Sequence, residues 1–390
     1  MIETLAVEGY RSLRDVVVPL GRLTVVTGAN GTGKSSLYRA MRLLADAGSG
    51  DLIASLARSG GLDSVRWAGP EVVSRAMRAG EVPVQGTVRS GPVRLRLGVS
   101  GDSFGYAVDL GLPTHSESGR FPLDPRIKAE AVWSGSVLRP ATSLVERAGA
   151  AVRIRDGRTW AQTRTIAGSD SILTELAGSD QAHEVREVRE RLRGWRFYDH
   201  LRTDPEAPAR EARLATRTPV LAHDGADVAA ALATIEEIGR EDLLADAVAA
   251  AFDGSRVEFV EDGPRLGLAL RQAGMLRPLA AAELSDGTVR YLMLVAALLT
   301  PRPPELLVLN EPETSLHPDL LPSLAQLVVA AAEEAQVVLL THAAHLVDLV
   351  GRAAAGAVDL ARVELAKDLG ETVVVGQGRL EAPPWQWPKR

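Results

Sequence analysis

The sequence predicts an α/β fold with a mixed sheet that is interrupted by a long insertion, and three observations predict it. Near the N-terminus a short apolar strand, "RLTVVTG", leads into the glycine-rich turn "GANGTGKSS" and then into a helix. Near the C-terminus the apolar runs "LLVLN" and "QVVLLTH" are each followed by a helix, which is the pattern of buried parallel strands. Between these parts, apolar and polar residues alternate as in antiparallel strands.

The predicted domain division follows these changes of pattern. In this division, residues 1–80 form the N-terminal half of a domain, and residues 81–255 form a strand-plus-helix insertion. Residues 256–376 form the C-terminal half of the same domain, and residues 377–390 form a tail. In the insertion, strand patterns predominate to about residue 165, and helical patterns return at 171–193 and 226–252. The tail contains "PPWQWPKR", whose two tryptophans are expected to dock either on the body of the protein or on a partner.

Composition excludes several classes of protein. The formal net charge of −6 argues against a chain that coats DNA over its whole surface. The absence of cysteine excludes disulfides and thiolate zinc sites. No apolar run approaches the roughly 18–20 residues that cross a bilayer, and the first residues resemble a strand more than a leader peptide. We therefore expect a cytoplasmic protein with no membrane partner.

Arginines are concentrated in residues 186–217. This segment holds nine Arg and six acidic residues, which gives nine minus six, a net charge of +3. One interpretation is a solvated segment in which Glu and Arg pair at helical spacing. The other is a patch that binds nucleic acid.

The strongest motif is residues 28–35, which match G-x-x-x-x-G-K-[ST] between a strand and a helix. Its glycines allow backbone N–H groups to turn toward phosphates, and the helix N-terminus adds a partial positive charge. Lys34 can reach the terminal phosphates, and the Ser35 hydroxyl can join a Mg²⁺ shell. The predicted nucleotide-binding residues here are Asn30, Gly31, Thr32, Gly33, Lys34, Ser35 and Ser36.

A second motif lies at the start of an apolar helix. Ser285, Asp286 and Gly287 open the run "SDGTVRYLMLVAALL", so their backbone N–H groups are expected to be unpaired at a positive helix end. Ser285 or Asp286 would also make a good helix cap. The two roles are compatible because they use the same donors.

Two polar strand ends complete the set. Glu311 follows the buried strand 306–309, at the carboxyl end where α/β sheets bind their ligands. Thr341 and His342 end another strand, where a histidine can bond a γ-phosphate or simply contact the neighbouring loop.

Together these segments resemble, in this order, the motifs of ABC-type ATPase heads of the RecF/SMC-like branch, specifically small bacterial AAA-family ATPases related to OLD-type heads. "GANGTGKSS" resembles Walker A, "LSDGT" the signature motif, "LLVLNEPETSLHP" Walker B with the D-loop, and "LLTHAAHLVD" the switch-histidine segment. The opening "EGYRSLRD" resembles the strand that such heads place near the nucleotide, which implies roles for Arg11 and Ser12. The match covers about the first 45 and the last 110 residues. It implies a P-loop NTPase fold, an ABC-type head split by an inserted lid.

The resemblance also implies a mechanism that uses ATP and Mg²⁺. Two copies pair head to tail as a homodimer, and each ATP lies between Walker A of one chain and Ser285 and Gly287 of the other. Glu311 acts as general base in hydrolysis to ADP and phosphate, and His342 contacts the γ-phosphate. Opening and closing of the dimer is then the output, in DNA repair or phage defence, on DNA or with a separate nuclease partner.

One departure from the family pattern concerns the metal. Asn310 stands where the pattern usually has an Asp associated with Mg²⁺. Its carboxamide oxygen can accept from a metal-bound water but lacks the full negative charge that hard cations prefer. We therefore expect weaker Mg²⁺ binding and slow hydrolysis.

Two alternatives to an ATPase switch stay open. The first is a nucleotide-dependent clamp that does not hydrolyse, suggested by Asn310. The second is the ATPase subunit of a transporter, against which count "SDGT", the long insertion and the lack of a secure Q-loop glutamine, for which Gln85 is the candidate. The insertion also lacks heptads, so we expect no coiled-coil arms.

Overall fold

The structure, a computed structural model, describes residues 1–71, 73–83, 92–113, 120–179, 182–378 and 381–390. The strands in chain order are β1 (Ile2–Tyr10), β2 (Leu13–Pro19), β3 (Leu23–Thr27), β4 (Leu95–Gly101), β5 (Phe104–Gly111), β6 (Arg126–Ser134), β7 (Ser143–Ala148), β8 (Ala151–Asp156), β9 (Thr159–Thr165), β10 (Arg196–Tyr198), β11 (Arg213–Leu214), β12 (Arg256–Asp262), β13 (Arg265–Arg271), β14 (Leu279–Ala280), β15 (Leu306–Asn310), β16 (Gln336–Leu340), β17 (Leu360–Asp368) and β18 (Glu371–Val374). The α-helices are α1 (Lys34–Ser49), α2 (Leu52–Arg58), α3 (Leu62–Val65), α4 (Arg75–Arg78), α5 (Ile172–Glu175), α6 (His183–Gly194), α7 (Val228–Ile235), α8 (Glu241–Ala251), α9 (Asp286–Leu298), α10 (Leu321–Glu334) and α11 (Ala344–Ala354).

These elements form two compact units. The first contains Met1–Gly21, Val26–Trp195 and Arg362–Arg390, and the second contains Arg22–Val25 and Arg196–Ala361. The strand-rich part of the predicted insertion lies in the first unit, and its helices α7 and α8 lie in the second. The predicted domain boundaries at residues 80, 255 and 376 stay a prediction.

The first unit is built on an antiparallel sheet. Among the described residues its eight strands lie in the order β2-β1-β4-β5-β6-β7-β8-β9. The alternation of apolar and polar residues in the insertion therefore does correspond to antiparallel strands, β4 to β9. Helix α6 packs on α1 at Gly48, where an added Cβ would lie 2.8 Å from Leu192 Cβ.

A buried ion pair lies within this unit. The carboxylate of Glu130 accepts from Arg147 Nη1 at 3.2 Å, from Tyr106 Oη at 2.8 Å, from Ser171 Oγ at 2.6 Å and from the backbone N–H of Ile172 at 3.0 Å. The side chains of Glu130 and Arg147 are both fully buried. Burial, together with the negative charge of Glu130, raises the pKa of Tyr106 well above its ordinary value. The two charges are tolerated because each is paired and hydrogen-bonded.

The C-terminal tail docks on the same unit. The ring centroid of Trp385 lies 5.6 Å from that of Trp133 in an edge-to-face arrangement. Gly98 makes room for this indole, because a Cβ there would lie 2.4 Å from the Trp385 ring. Arg390 donates two hydrogen bonds, of 2.8 and 2.7 Å, to the buried carboxylate of Asp109. Of the two docking sites expected for the tail, this structure has the one on the body.

The second unit contains the predicted buried parallel strands. β10, β15 and β16 are parallel neighbours, and the backbone N–H of Val337 in β16 donates to Arg22 O at 2.9 Å. A small antiparallel sheet has the order β11-β13-β12, with β14 paired to β13. The core of this unit surrounds α9, whose residues from Thr288 to Leu298 are all buried.

Several arginines of residues 186–217 form ion pairs with nearby glutamates of the protein. Arg191 pairs with Glu187 at 2.9 Å and Arg193 with Glu190 at 3.0 Å, both within α6. In the second unit Arg217 pairs with Glu237 at 2.7 Å. These contacts favour the interpretation of an ion-paired segment over a patch that binds nucleic acid.

Candidate functional site

In the first unit, the loop between β3 and α1 has the backbone shape of a phosphate cradle. Gly28, Gly31 and Gly33 have φ angles of 146°, 82° and 114°, which favour glycine. A Cβ on Gly28 would lie 2.4 Å from Leu365 O, and one on Gly33 would lie 2.3 Å from Thr372 Oγ1. The sequence motif is therefore matched by positions where only glycine fits.

The residues around this loop fit a polyphosphate. Helix α1 begins at Lys34, and its N-cap is Gly33, which has no side chain to occupy the first-turn N–H donors. The buried Lys34 lays its ammonium along the loop, where Nζ donates to Gly28 O at 2.6 Å and to Ala29 O at 3.2 Å. Ser35 is exposed in the first turn of the helix, with its hydroxyl available to a metal shell.

The remaining loop residues vary in burial. Asn30 and Gly31 are exposed at the tip, Ser36 is half-buried, and the buried Thr32 donates from Oγ1 to Ala29 O at 2.9 Å. Thr32 therefore helps to close the turn.

Arg11 and Ser12 follow β1, as the resemblance implies. Arg11 has a φ of +50°, and its backbone N–H donates to Val65 O at 2.6 Å. Its Nε is buried and has no hydrogen-bond partner among the described residues. The Ser12 hydroxyl lies 2.8 Å from Thr372 Oγ1 and so reaches the group that contacts the loop.

In the second unit, an unusual backbone places Glu311 at the end of β15. Asn310 is the last residue of this strand and lies opposite Leu340 of β16. Glu311 has a φ of +48°, and its N–H donates to Leu340 O at 2.8 Å. Arg290 Nη2 donates to Glu311 O at 3.2 Å. Hydrogen bonds on both sides of the residue hold this rarely populated conformation.

The Glu311 carboxylate lies beside His342. His342 Nδ1 is 3.2 Å from Glu311 Oε1 and 3.8 Å from Glu313 Oε1. Because an ionised carboxylate only accepts, the imidazole carries a proton on Nδ1 in this contact. Thr341 Oγ1 also donates to Glu313. The two predicted catalytic residues, Glu311 and His342, therefore meet at neighbouring strand ends.

The signature segment combines a helix cap with two further contacts. Ser285 Oγ accepts from the Thr288 N–H at 3.2 Å, which confirms the cap at the start of α9. A Cβ on Gly287 would lie 2.9 Å from Ser315 O, so glycine allows the 315–320 loop to approach. Asp286 accepts from Arg210 Nη2 at 2.7 Å. These segments line a cavity of about 710 Å³.

A family model described as "AAA domain, putative AbiEii toxin, Type IV TA system" matches residues 23–348. The chain belongs to this AAA domain family. Family membership supports a nucleotide-binding P-loop ATPase. No protein of curated function matches the sequence.

Solved structures show the fold of this AAA protein independently. The SmcHead bound to the C-winged helix domain of ScpA aligns with a TM-score of 0.50 at 14% identity, over 98% of this chain and 99% of that one. The Smc head domain with an extended coiled coil, bound to the C-terminal domain of ScpA and derived from Pyrococcus furiosus, has a TM-score of 0.50 at 13% identity, over 96% of this chain and 95% of that one. The predicted α/β P-loop fold and the likeness to SMC-like heads are therefore confirmed.

Two further sequence predictions of the AAA protein concern membrane spans and a Q-loop glutamine. No α-helix in the described ranges has both the length and the apolar character that a membrane span requires. The Q-loop candidate Gln85 lies outside the described residues.

Three residues near the predicted sites do not belong to any predicted site. Buried Arg290 donates to the carbonyl oxygens of Glu311 and Pro312, and its burial lowers the pKa of its guanidinium, an effect that the charge of Glu313 opposes. The side chain of Glu313 is 8% exposed, and its Oε2 has no hydrogen-bond partner among the described residues. The third is Thr372, which contacts the P-loop. The position of Glu313, two residues after Glu311, could have indicated from the sequence that it belongs near the site. No sequence pattern indicates such a place for Arg290 or Thr372.

Thr372 ties the AAA protein's P-loop to Ser12. Its Oγ1 donates to Thr32 O at 2.7 Å, so the Ser12 hydroxyl must donate to Thr372 Oγ1 across the 2.8 Å contact. The Thr372 N–H also donates to Ser12 O at 2.8 Å. The Thr372 hydroxyl therefore holds the second half of the P-loop in place.

Thr372→Val is expected to weaken ATP binding about 5- to 150-fold, because two hydrogen bonds worth about 0.5–1.5 kcal/mol each, about 1–3 kcal/mol together, no longer order the loop. Affinity is measured by titration with a fluorescent ATP analogue. Thr372→Ser keeps the hydroxyl and is expected to bind like the wild type. Equal affinities for the Val and Ser variants would show that the loop does not depend on this contact.

Proposed function

We propose that this AAA protein is a slow ATPase in which Glu311 is the general base. The observation that carries the proposal is the 3.2 Å contact between Glu311 Oε1 and His342 Nδ1 at neighbouring strand ends. In this proposal Glu311 takes a proton from the attacking water, and His342, which lies beside it, contacts the γ-phosphate. The backbone hydrogen bonds on both sides of Glu311 support this role, because a general base must be held in position.

The substrate-binding groups in this proposal come from the P-loop. The loop N–H groups and Lys34 bind the phosphates of ATP, and Asn30, Gly31, Thr32, Gly33 and Ser36 shape the loop. Ser35 and Asn310 are the proposed ligands of Mg²⁺. When it is bound, this ion would stabilise the negative charge of the phosphates. Phosphoryl transfer depends on such positioning and charge stabilisation more than on a covalent partner.

We further propose that two copies form a head-to-tail homodimer with ATP between them. Ser285, Asp286 and Gly287 would then contribute the unpaired N–H groups of helix α9 to the nucleotide of the partner subunit. The contact of Asp286 with Arg210, whose side chain is 7% exposed, supports this by giving the segment a fixed position. Arg210 Nη1 also donates to Ala281 O and Leu284 O at 2.7 and 2.8 Å.

The proposed biological output is the switching of a partner in the cytoplasm, either DNA or a nuclease, in DNA repair or phage defence. The family description, which names a toxin of a toxin–antitoxin system, supports a defence role. Two similar SMC heads have a domain of ScpA bound, which supports a protein partner.

A second candidate function is a nucleotide-held clamp that does not hydrolyse. Asn310 favours it, because an amide at the end of β15 gives a divalent cation no full negative charge. In that case ATP binding alone would set the state of the protein.

The test is steady-state ATP hydrolysis as a function of Mg²⁺ concentration for the wild type and Asn310→Asp. We expect the wild type to turn over and Asn310→Asp to need about 5- to 10-fold less Mg²⁺ for half-maximal rate, since about 1 kcal/mol of added metal affinity has that effect. Gln326→Glu makes the same amide-to-carboxylate change on the exposed side of α10 and is the control. A wild type that binds ATP without turnover at any Mg²⁺ level would establish the clamp instead.

A further inference from the structure

A cavity of about 620 Å³ lies in the first unit, on the face of the antiparallel sheet that the tail covers. Strands β6 to β9 form one side, where Ala131, Ala148 and Ala151 leave space because their side chains are small. Residues 386–390 of the tail form the other side. Its volume is that of pockets that hold one small ligand, roughly 300–1,000 Å³.

The tail wall of this cavity is held firmly. The Trp387 ring centroid lies 5.3 Å from that of Trp385, and the Arg96 guanidinium lies 5.7 Å from the Trp387 ring centre. Arg96 Nε also donates to Asp109 at 3.1 Å, the same buried carboxylate that binds Arg390. Trp387 therefore presents a fixed indole beside the cavity.

The opposite wall combines an indole with arginines. The guanidinium of Arg153 lies 4.5 Å, and that of Arg155 5.1 Å, from the ring centre of Trp160. The cavity lining also contains two carboxylates, Glu130 and Glu146, and each is paired with an arginine of the same lining, Arg147 and Arg153 respectively. These two pairs therefore add no net charge to the cavity. Two more cations that line the cavity, Arg139 and Lys389, have no carboxylate partner among the described residues.

We propose that this cavity binds a nucleobase that carries a phosphate group, either a free nucleoside monophosphate or a nucleotide of a single strand. The base stacks on the wall formed by Trp387 or by Trp160 with its arginines, and the phosphate pairs with Arg139 and Lys389. A simple inorganic anion would use the cations but not the two indoles, and an apolar ligand would use the indoles but not the cations. An aromatic anion uses both.

The test uses the full chain in a Lys34→Ala background, so that binding at the P-loop and any ATP turnover do not contribute. The probes are AMP and the oligonucleotide dT15, followed by calorimetry and by tryptophan fluorescence. We expect at least one probe to bind, and Trp160→Ala to weaken it about 5- to 100-fold, the range for one stacked base. The surface double variant Arg139→Ala/Lys389→Ala is expected to weaken binding and to reduce its salt dependence.

Two exposed residues outside the cavity provide matched controls. Phe121→Ala removes an aromatic ring that is 72% exposed, and Arg217→Ala removes a cation in the second unit. Neither is expected to change binding. Binding of AMP alone identifies a free nucleotide, and binding of dT15 alone identifies a strand; either supports the site. Absence of binding for both probes, or equal affinity in the cavity variants and the controls, would overturn it and would leave the proposed ATPase untouched.

Discussion

Glu311→Gln is expected to lower the rate of ATP hydrolysis by about 10²- to 10⁴-fold, the usual contribution of a general base. The substitution keeps the size of the side chain and its contact with His342, since an amide oxygen can still accept from Nδ1. ATP affinity is therefore expected to stay near that of the wild type. Single-turnover hydrolysis and equilibrium binding, measured on the same preparation, separate the two effects.

The same variant tests the proposed dimer. If hydrolysis releases the two heads, Glu311→Gln with ATP and Mg²⁺ should elute as a stable dimer in size-exclusion chromatography with light scattering. Glu333→Gln, an exposed residue of α10, is the matched control and should behave as the wild type. Turnover that survives Glu311→Gln would assign the base to another group, with Glu313 the first to examine.

Arg147→Met is expected to destabilise the first unit by about 3–5 kcal/mol, because it leaves Glu130 as an unpaired buried carboxylate. Both side chains of this pair are fully buried, so water cannot replace the lost guanidinium. Urea unfolding followed by tryptophan fluorescence measures the change. Arg153→Met breaks a pair whose arginine is 54% exposed and should cost less than about 1 kcal/mol.

A double variant separates the cost of the orphaned charge from the loss of packing. Glu130→Gln/Arg147→Met removes both charges, and its destabilisation should be smaller than the sum for the two single variants. A purely additive result would mean that the pair contributes through packing alone. An Arg147→Met protein as stable as the wild type would contradict the prediction outright.

The parts of the fold that can be predicted from the sequence are those determined by patterns in neighbouring residues. The P-loop is an eight-residue motif between a strand and a helix, and Glu311 is the second residue after an apolar run, so neither needs knowledge of distant contacts. The alternation between about residues 81 and 165 likewise predicts antiparallel strands, because burial on one face of a sheet has a period of two residues.

The missed residues depend on contacts between distant parts of the chain. Thr372 lies 340 residues from Thr32, and no local pattern indicates that its hydroxyl reaches the P-loop. Arg290 looks like one polar residue in an apolar helix, although its guanidinium donates to the backbone beside the proposed base. Arginine density in residues 186–217 also indicated little about function, because the count does not reveal which arginines, like Arg210, are buried and paired.

The backbone of Glu311 has a consequence for how this protein evolves. A non-glycine residue with a φ near +50° costs on the order of 1–2 kcal/mol, which a glycine at the same position would not incur. Selection for thermal stability alone would therefore favour loss of the carboxylate, and selection for turnover would oppose it. Descendants that no longer need hydrolysis are expected to lose this residue early, and their thermal stability is expected to rise when they do so.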